Sequence, residues 1–354
     1  MKRLGGVWQQ LVSFDNLLLA FRKARRGKSR RPSVAVFECQ LEKELLQLQR
    51  ELQSGTYQPG DYRLFTIYER KPRLISAAPF RDRVVHHAIM NVIEHSLDRC
   101  FIEDSYACRV GKGTHAAVDR YQQWAKRYRY ALKMDIARYF PSIDHSLLKQ
   151  KLRYYLKDKM LLALLDRIID SSQCELEQFV FFPGDDLLTH LERCIGIPIG
   201  NLTSQFFANL YLDDFDHFVK EDLKVKAYLR YVDDMVILAD DKARLAELRR
   251  LCRERLERDR LRLHPRKAHI TPVCFGIDLL GYRVLPDHRR LRNDNGHRFV
   301  RKVRQFALGY ADGRLNWDDI NPSVQSWIGH AKQAQTLGLR KSIFSAIVFQ
   351  RGRI

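Results

Sequence analysis

Apolar positions along the chain recur with two periods. Leu41, Leu45, Leu48 and Leu52 share one stripe, so residues 38–53 read as a helix, preceded by another over 13–26. The run Ser54-Gly55-Thr56-Tyr57-Gln58-Pro59-Gly60 stops it. Arg63–Glu69 is strand-like, and Arg81–Ile89 opens a further helix. Helices are predicted at 114–127, 145–170 and 202–222, the last from Leu202, Phe206, Leu210 and, on an adjoining stripe, Phe207, Tyr211, Phe215 and Phe218. Short strand-like runs lie among them: Ala131–Ile136, Lys226–Arg230 and Met235–Leu238. Asp278–Val284 reads as a hairpin arm, and Pro286 with the polar stretch 287–297 marks a boundary. Beyond it Phe299, Val303 and Phe306 form a greasy stripe, with Arg298, Arg301, Lys302 and Arg304 largely off it. A last helix over 324–336 carries Trp327 and His330, read as a core aromatic and a satisfied histidine. Few strands among many helices predict an α+β fold.

Two acidic segments sit on those strands. Tyr231-Val232-Asp233-Asp234 lies between two strand runs, and Asp135 ends the earlier one. Adjacent ionised carboxylates repel, so either one holds a proton or bound Mg²⁺ neutralises them. Carboxylates from neighbouring strands suit a pair of metals that clamp the attacking and leaving oxygens of an in-line displacement. The chain holds three other Asp-Asp pairs, and context separates them. Asp213-Asp214 lies in the helical segment and reads as a solvated face; Asp185-Asp186 reads as a turn or helix start; Asp240-Asp241 is placed to cap the next helix.

Composition narrows the partners. Sixty-two Lys and Arg against 42 Asp and Glu leave +20, and 45% hydrophobic content argues against disorder in these 354 residues. A folded basic chain points to a polyanion. Arg22, Lys23, Arg25, Arg26, Lys28, Arg30 and Arg31 concentrate that charge, and such residues bind phosphates with steep salt dependence. Arg249–Lys267, where acids interleave with the arginines, reads instead as a surface helix with internal ion pairs. The seven cysteines show no Cys-x-x-Cys spacing and read as reduced, mostly buried thiols. No apolar run reaches membrane-spanning length and no signal-peptide core is evident, so a soluble, cytoplasmic protein with no membrane partner is expected.

Taken in order, these motifs resemble the reverse transcriptases: Arg73 and Arg81-Asp82-Arg83, then Met134-Asp135-Ile136 with Tyr139-Phe140, Gly196-Ile197-Pro198-Ile199-Gly200-Asn201-Leu202-Thr203-Ser204-Gln205, the Asp233-Asp234 turn, and Leu279-Leu280-Gly281-Tyr282. Where retroviral and group II intron enzymes usually carry Gln-Gly, this chain has Ile199-Gly200. That departure, with Ser326-Trp327-x-Gly329-His330-Ala331, is similar to the reverse transcriptases of diversity-generating retroelements.

The resemblance implies a right-hand polymerase: a basic N-terminal segment and start of the fingers over 1–70, interleaved fingers and palm over 71–285, and a helical thumb over 286–354. It implies Asp135, Asp233 and Asp234 as ligands of two Mg²⁺ (Mn²⁺ as a substitute), with Ile136 adding a backbone carbonyl. Arg73, Lys71 and Arg81 are the expected triphosphate ligands, since a planar guanidinium engages phosphate bidentately. Phe140 matches the side chain that excludes a 2′-hydroxyl, Ile199 is expected at the nascent pair, and Leu280, Gly281 and Tyr282 match the primer grip. Basic residues 22–31 and Arg298, Arg301, Lys302 and Arg304 are the expected RNA contacts. The implied partners are template-repeat RNA, its cDNA, dNTPs and a small basic accessory variability protein. A retron, phage-defence or intron-derived reverse transcriptase remains open, as does a non-catalytic RNA-binding protein. Residues 170–195 receive no functional reading beyond a strand suggested over Phe179–Phe182.

Overall fold

A computed structural model describes residues 3–68, 72–172, 181–186 and 188–351. Its centre is a four-stranded antiparallel sheet built from β3 (Tyr130–Asp135), β4 (Tyr228–Tyr231), β5 (Asp234–Ala239) and β6 (His269–Pro272), in the order β4-β5-β3-β6. A two-stranded hairpin, β1 (Arg63–Tyr68) with β2 (Pro72–Ala77), precedes it; a three-stranded sheet, β7 (Ile277–Leu279), β8 (Tyr282–Val284) and β9 (Arg289–Leu291), follows.

The central sheet divides two cores by the two-residue alternation of its strands. Leu132, Met134, Met235 and Ile237 join the larger core, with Leu248 and Cys252 of the Lys242–Arg258 helix. Ala131, Val236 and Leu238 face the second, with Tyr121 of the Thr114–Ala125 helix and apolar residues of the C-terminal helices. Lys133 and Asp135 alternate with Leu132 and Met134 and share the second face. A one-residue slip would bury those polar groups in the larger core and expose Met134, each lost apolar burial costing about 1.5–3 kcal/mol, so the register is firmly specified.

Most predicted helices form: Phe14–Arg25, Leu41–Ser54 closed by Gly55 at φ 70°, Phe80–Asp98, Thr114–Ala125 and Asn293–Ala311. The helix expected over 145–170 is two, His145–Tyr155 and Lys159–Asp170. Leu156 leaves the helix to bridge with Leu4, and Asp158 caps the second piece through Leu161 N–H. The segment 202–222 also breaks, into Leu202–Tyr211, Asp213–His217 and a π-helical turn over Phe218–Asp222. Those breaks shift the phase, and Asp213 is not solvated but buried beside Tyr155, whose hydroxyl donates to it at 2.5 Å. Its partner Asp214 is bound by Lys151 at 2.5 Å and Arg255 at 2.8 Å.

The polar stretch 287–297 contains a strand, β9, and the start of the Asn293–Ala311 helix, so the three-stranded sheet continues past Pro286. The last predicted helix is shifted to Trp317–Ala331, with Leu337–Ser345 following it. Of the six described cysteines only Cys252 is buried, against the expectation of mostly buried thiols. Phe181 and Phe182 are not in a strand, and Phe179 lies outside the described residues. No helix among the described residues is long and apolar enough to cross a membrane.

Candidate active site

The register of β3 on β5 sets Asp135 directly opposite Asp234. Tyr231 pairs with Asp234, so Val232-Asp233 is the two-residue turn of the β4–β5 hairpin. Val232 sits at φ 55°, an uncommon conformation for a β-branched residue. Arg230, wholly buried against Asp216, donates to the Val232 carbonyl at 3.1 Å and holds that turn. Burial, then the charges of Asp234 and Asp135, pushes the Asp233 carboxyl up to about 6.

Two lysines supply positive charge among the acids. Lys267 Nζ is 2.6 Å from Asp135 Oδ2; Lys133 Nζ is 3.2 Å from Asp234 Oδ1 and donates to the Asp278 carbonyl at 2.8 Å. Each carboxylate is drawn to its own ammonium, and among the described residues no three acid, histidine or cysteine side chains stand at metal-ligand spacing. The donor set nevertheless suits a hard divalent cation: acidic oxygens on adjoining strands, crowded enough to raise the Asp233 carboxyl. Ile136 is buried in the larger core, which leaves only its backbone for the ligand role expected of it.

Asp135, Asp233 and Asp234 line one cavity of about 800 Å³. Arg73 on β2, Leu280 and Gly281 in the β7–β8 turn, and Arg298 line it too. Tyr282 is buried behind that turn. Other expected residues stand elsewhere. Arg81 forms an ion pair with Glu51 and lies 5.7 Å over the Tyr57 ring, so its guanidinium is engaged away from the aspartates. Lys71 lies outside the described residues. Phe140 and Ile199 make backbone contacts, the Phe140 carbonyl accepting from Ile197 N–H at 3.0 Å and the Ile199 carbonyl from Ser76 N–H of β2 at 3.1 Å.

The basic N-terminal run divides. Arg25 is paired with Glu38 at 2.8 Å and Lys23 donates to Asn91 at 2.6 Å, while Arg22, Arg26 and Arg30 are exposed. Lys28 and Arg31 line a cavity of about 980 Å³ with Arg63, Arg83, His87 and Gly200. Burial, with Arg83 and Arg31 nearby, lowers the Lys28 amine; burial, with Lys28 and Lys23, holds the His87 imidazole down at about 4. Arg301, Lys302 and Arg304 lie exposed on the Asn293–Ala311 helix, away from the aspartates.

Residues 66–284, more than half of the chain, match the family model described as reverse transcriptase (RNA-dependent DNA polymerase). The chain belongs to the reverse transcriptase family. It is 26% identical over 295 residues to the protein YkfC of Escherichia coli (strain K12), covering 72% of this chain and 74% of that one. It is 25% identical over 188 residues to the group II intron-encoded protein LtrA of Lactococcus lactis subsp. cremoris, covering 52% of this chain and 29% of that protein. The putative COX1/OXI3 intron 1 protein of Saccharomyces cerevisiae matches at 20% over 179 residues, or 50% and 20% of the two chains. RNA-directed DNA polymerase activity, an RNA template, dNTP substrates and a divalent metal follow from the family.

Sequence reasoning passed over Lys133, Lys267 and Arg230. Lys133 had a signal: two residues before Asp135 on one strand, it must share that face. Lys267 had none, because it arrives from a turn before β6.

Proposed function

We propose that this reverse transcriptase copies a structured template-repeat RNA into error-prone cDNA, the diversifying step of a diversity-generating retroelement, with Asp135, Asp233 and Asp234 as its metal-binding catalytic carboxylates. The observation that carries the catalytic half is the pairing of Asp135 against Asp234 with Asp233 in the adjoining turn. Two Mg²⁺ held there would activate the primer 3′-hydroxyl and neutralise the triphosphate and leaving pyrophosphate. Arg73, in the same cavity, is the side chain for the triphosphate, where a guanidinium engages two phosphate oxygens at once. Leu280-Gly281 seats the primer end. The β1–β2 hairpin acts as part of the fingers, the central sheet as the palm and the helices from Asn293 on as the thumb. Lys28, Arg31, Arg63 and Arg83 offer phosphate contacts for the template strand, and a small basic accessory protein would be bridged to this chain through RNA, since like charges repel.

Support for the mutagenic half is Ile199 in place of the usual glutamine, together with the Ser326–Ala331 motif. A glutamine there hydrogen-bonds; isoleucine does not, and discrimination of about 1–3 kcal/mol goes with such a contact. A second reading, an intron-derived enzyme with no mutagenic role, is favoured by the match to LtrA. Primer extension on RNA with dNTPs tests the first half: Asp135→Asn and Asp233→Asn abolish extension while RNA binding persists, and near-normal extension by either overturns the assignment. Sequencing cDNA from wild type and Ile199→Gln tests the second; an unchanged error rate at template adenines leaves the intron-derived reading.

A further inference from the structure

The β7–β8 turn is a thin wall between two cavities. Leu280 and Gly281 line the one that holds the aspartates; on the other side a cavity of about 600 Å³ is bounded by Leu280, His115, Ser326 and His330. Both turn residues have positive φ, 47° at Leu280 and 95° at Gly281, a conformation uncommon for leucine. His330, from the Trp317–Ala331 helix, braces it. Its ring centroid is 4.5 Å from that of Tyr282, its Nδ1 is 2.8 Å from the Tyr282 hydroxyl, and its carbonyl accepts from that hydroxyl at 2.9 Å. His115 Nε2 stands 3.3 Å from the same oxygen, so one phenol joins β8, the Thr114–Ala125 helix and the C-terminal helices. A Cβ built on Gly281 would meet the His330 ring at 3.2 Å: the imidazole rests on the turn itself.

A carbonyl only accepts, so both contacts are met together when the phenol proton goes to the His330 carbonyl and Nδ1–H donates to the phenol oxygen. Nε2 is then a bare lone pair, buried and without a partner. A phenylalanine would fill the same space with no such polar atom to bury.

Resting on the reading of this turn as the seat of the primer end, we propose that His330 is a positioning residue, through which the seating of the C-terminal helices on the duplex sets the Leu280–Gly281 turn above the aspartates. His330→Phe keeps the ring and removes the donor; Tyr282→Phe removes its partner; His330→Asn restores a donor where Nδ1 stood. Processivity per binding event, read with a trap for released enzyme, is independent of the fraction of protein that folds. It falls about tenfold in His330→Phe, the worth of one hydrogen bond, and at least as far in Tyr282→Phe, which also loses the contacts to the His330 carbonyl and His115; the double variant is no worse than Tyr282→Phe, and the dNTP KM is unmoved. His330→Asn recovers most of it. Wild-type processivity in His330→Phe, or a loss shared equally with the dNTP KM, overturns the proposal. Extension that survives Asp135→Asn instead defeats the active-site reading on which it rests.

Discussion

Arg230 gives the sharpest test of how the β4–β5 hairpin is held. Its side chain and that of Asp216 are both 0% exposed, with Nη2 2.6 Å from Oδ2 and Nε 2.8 Å from each carboxylate oxygen. The guanidinium also donates to the Asn209 side chain at 3.1 Å, its carbonyl at 3.2 Å, and the Val232 carbonyl at 3.1 Å. Arg230→Met removes all of these and leaves Asp216 charged in the core. Breaking one side of a buried pair costs about 3–5 kcal/mol; the Tyr228 hydroxyl, 2.5 Å from Asp216, still donates and argues for about 3. Adding Asp216→Leu removes the orphaned charge, and apolar replacements of a buried pair are often neutral, so the double variant recovers at least half the loss. Urea unfolding measures this, and primer extension measures the turn. Stability returns in the double variant, but extension does not, because the Val232 carbonyl still lacks its donor. A single variant within about 1 kcal/mol of wild type, or a double variant no more stable than the single, refutes the reasoning.

Asp213 predicts a pH effect. Burial raises its carboxyl from the ordinary 3.8 to about 6, so the folded chain holds a proton there that the unfolded chain has lost. Its contribution to stability is full below about pH 4 and is lost as pH rises through about 6, an interval worth roughly 3 kcal/mol. Asp213→Asn therefore gains on wild type between pH 4 and pH 8 in urea unfolding; parallel pH profiles would dismiss the shift. Val232→Gly relieves the left-handed backbone at φ 55° and changes stability by no more than about 1 kcal/mol, since glycine's looser unfolded state offsets the relief. A loss above about 2 kcal/mol would mean that the side chain's packing outweighs the strain. Replacing Lys28 and Arg31 by alanine lowers the salt slope of RNA binding by about 2 if both touch phosphate, and an unchanged slope takes them out of the interface.

The fold was legible where local pattern and tertiary packing agree. The leucine stripe over 41–52 and the run Ala131–Ile136 became elements within three residues of their expected ends, because each buries apolar side chains at its own period. It was illegible where a distant contact interrupts a continuous pattern. Leu156 leaves its helix to pair with Leu4, and nothing near residue 156 announces residue 4. The strand β9 was hidden because its three residues, Arg289–Leu291, are mostly cationic and owe their conformation to pairing with β8.

The same distinction explains the site. Asp233-Asp234 and Asp213-Asp214 are the same dipeptide, each with one upward-shifted carboxyl, and neither shift is written in the pair itself. For Asp213, burial and the nearby Asp216 raise the carboxyl against the opposing hydrogen bond from Tyr155, while Lys151 and Arg255 hold its neighbour. For Asp233, the neighbours are two further carboxylates, and the cations that answer them, Lys267 and Lys133, serve Asp135 and Asp234 one each. Period-two alternation could place Lys133, since it rides the same strand as Asp135; it could not place Lys267, which meets Asp135 from 132 positions away. What separates the two pairs is thus access: Asp213 is buried and Asp214 ion-paired, while Asp233 and Asp234 both line a cavity. At residues 135, 233 and 234 Lys267 and Lys133 pair with Asp135 and Asp234, and all three carboxylates line one cavity, where a divalent ion would meet them together.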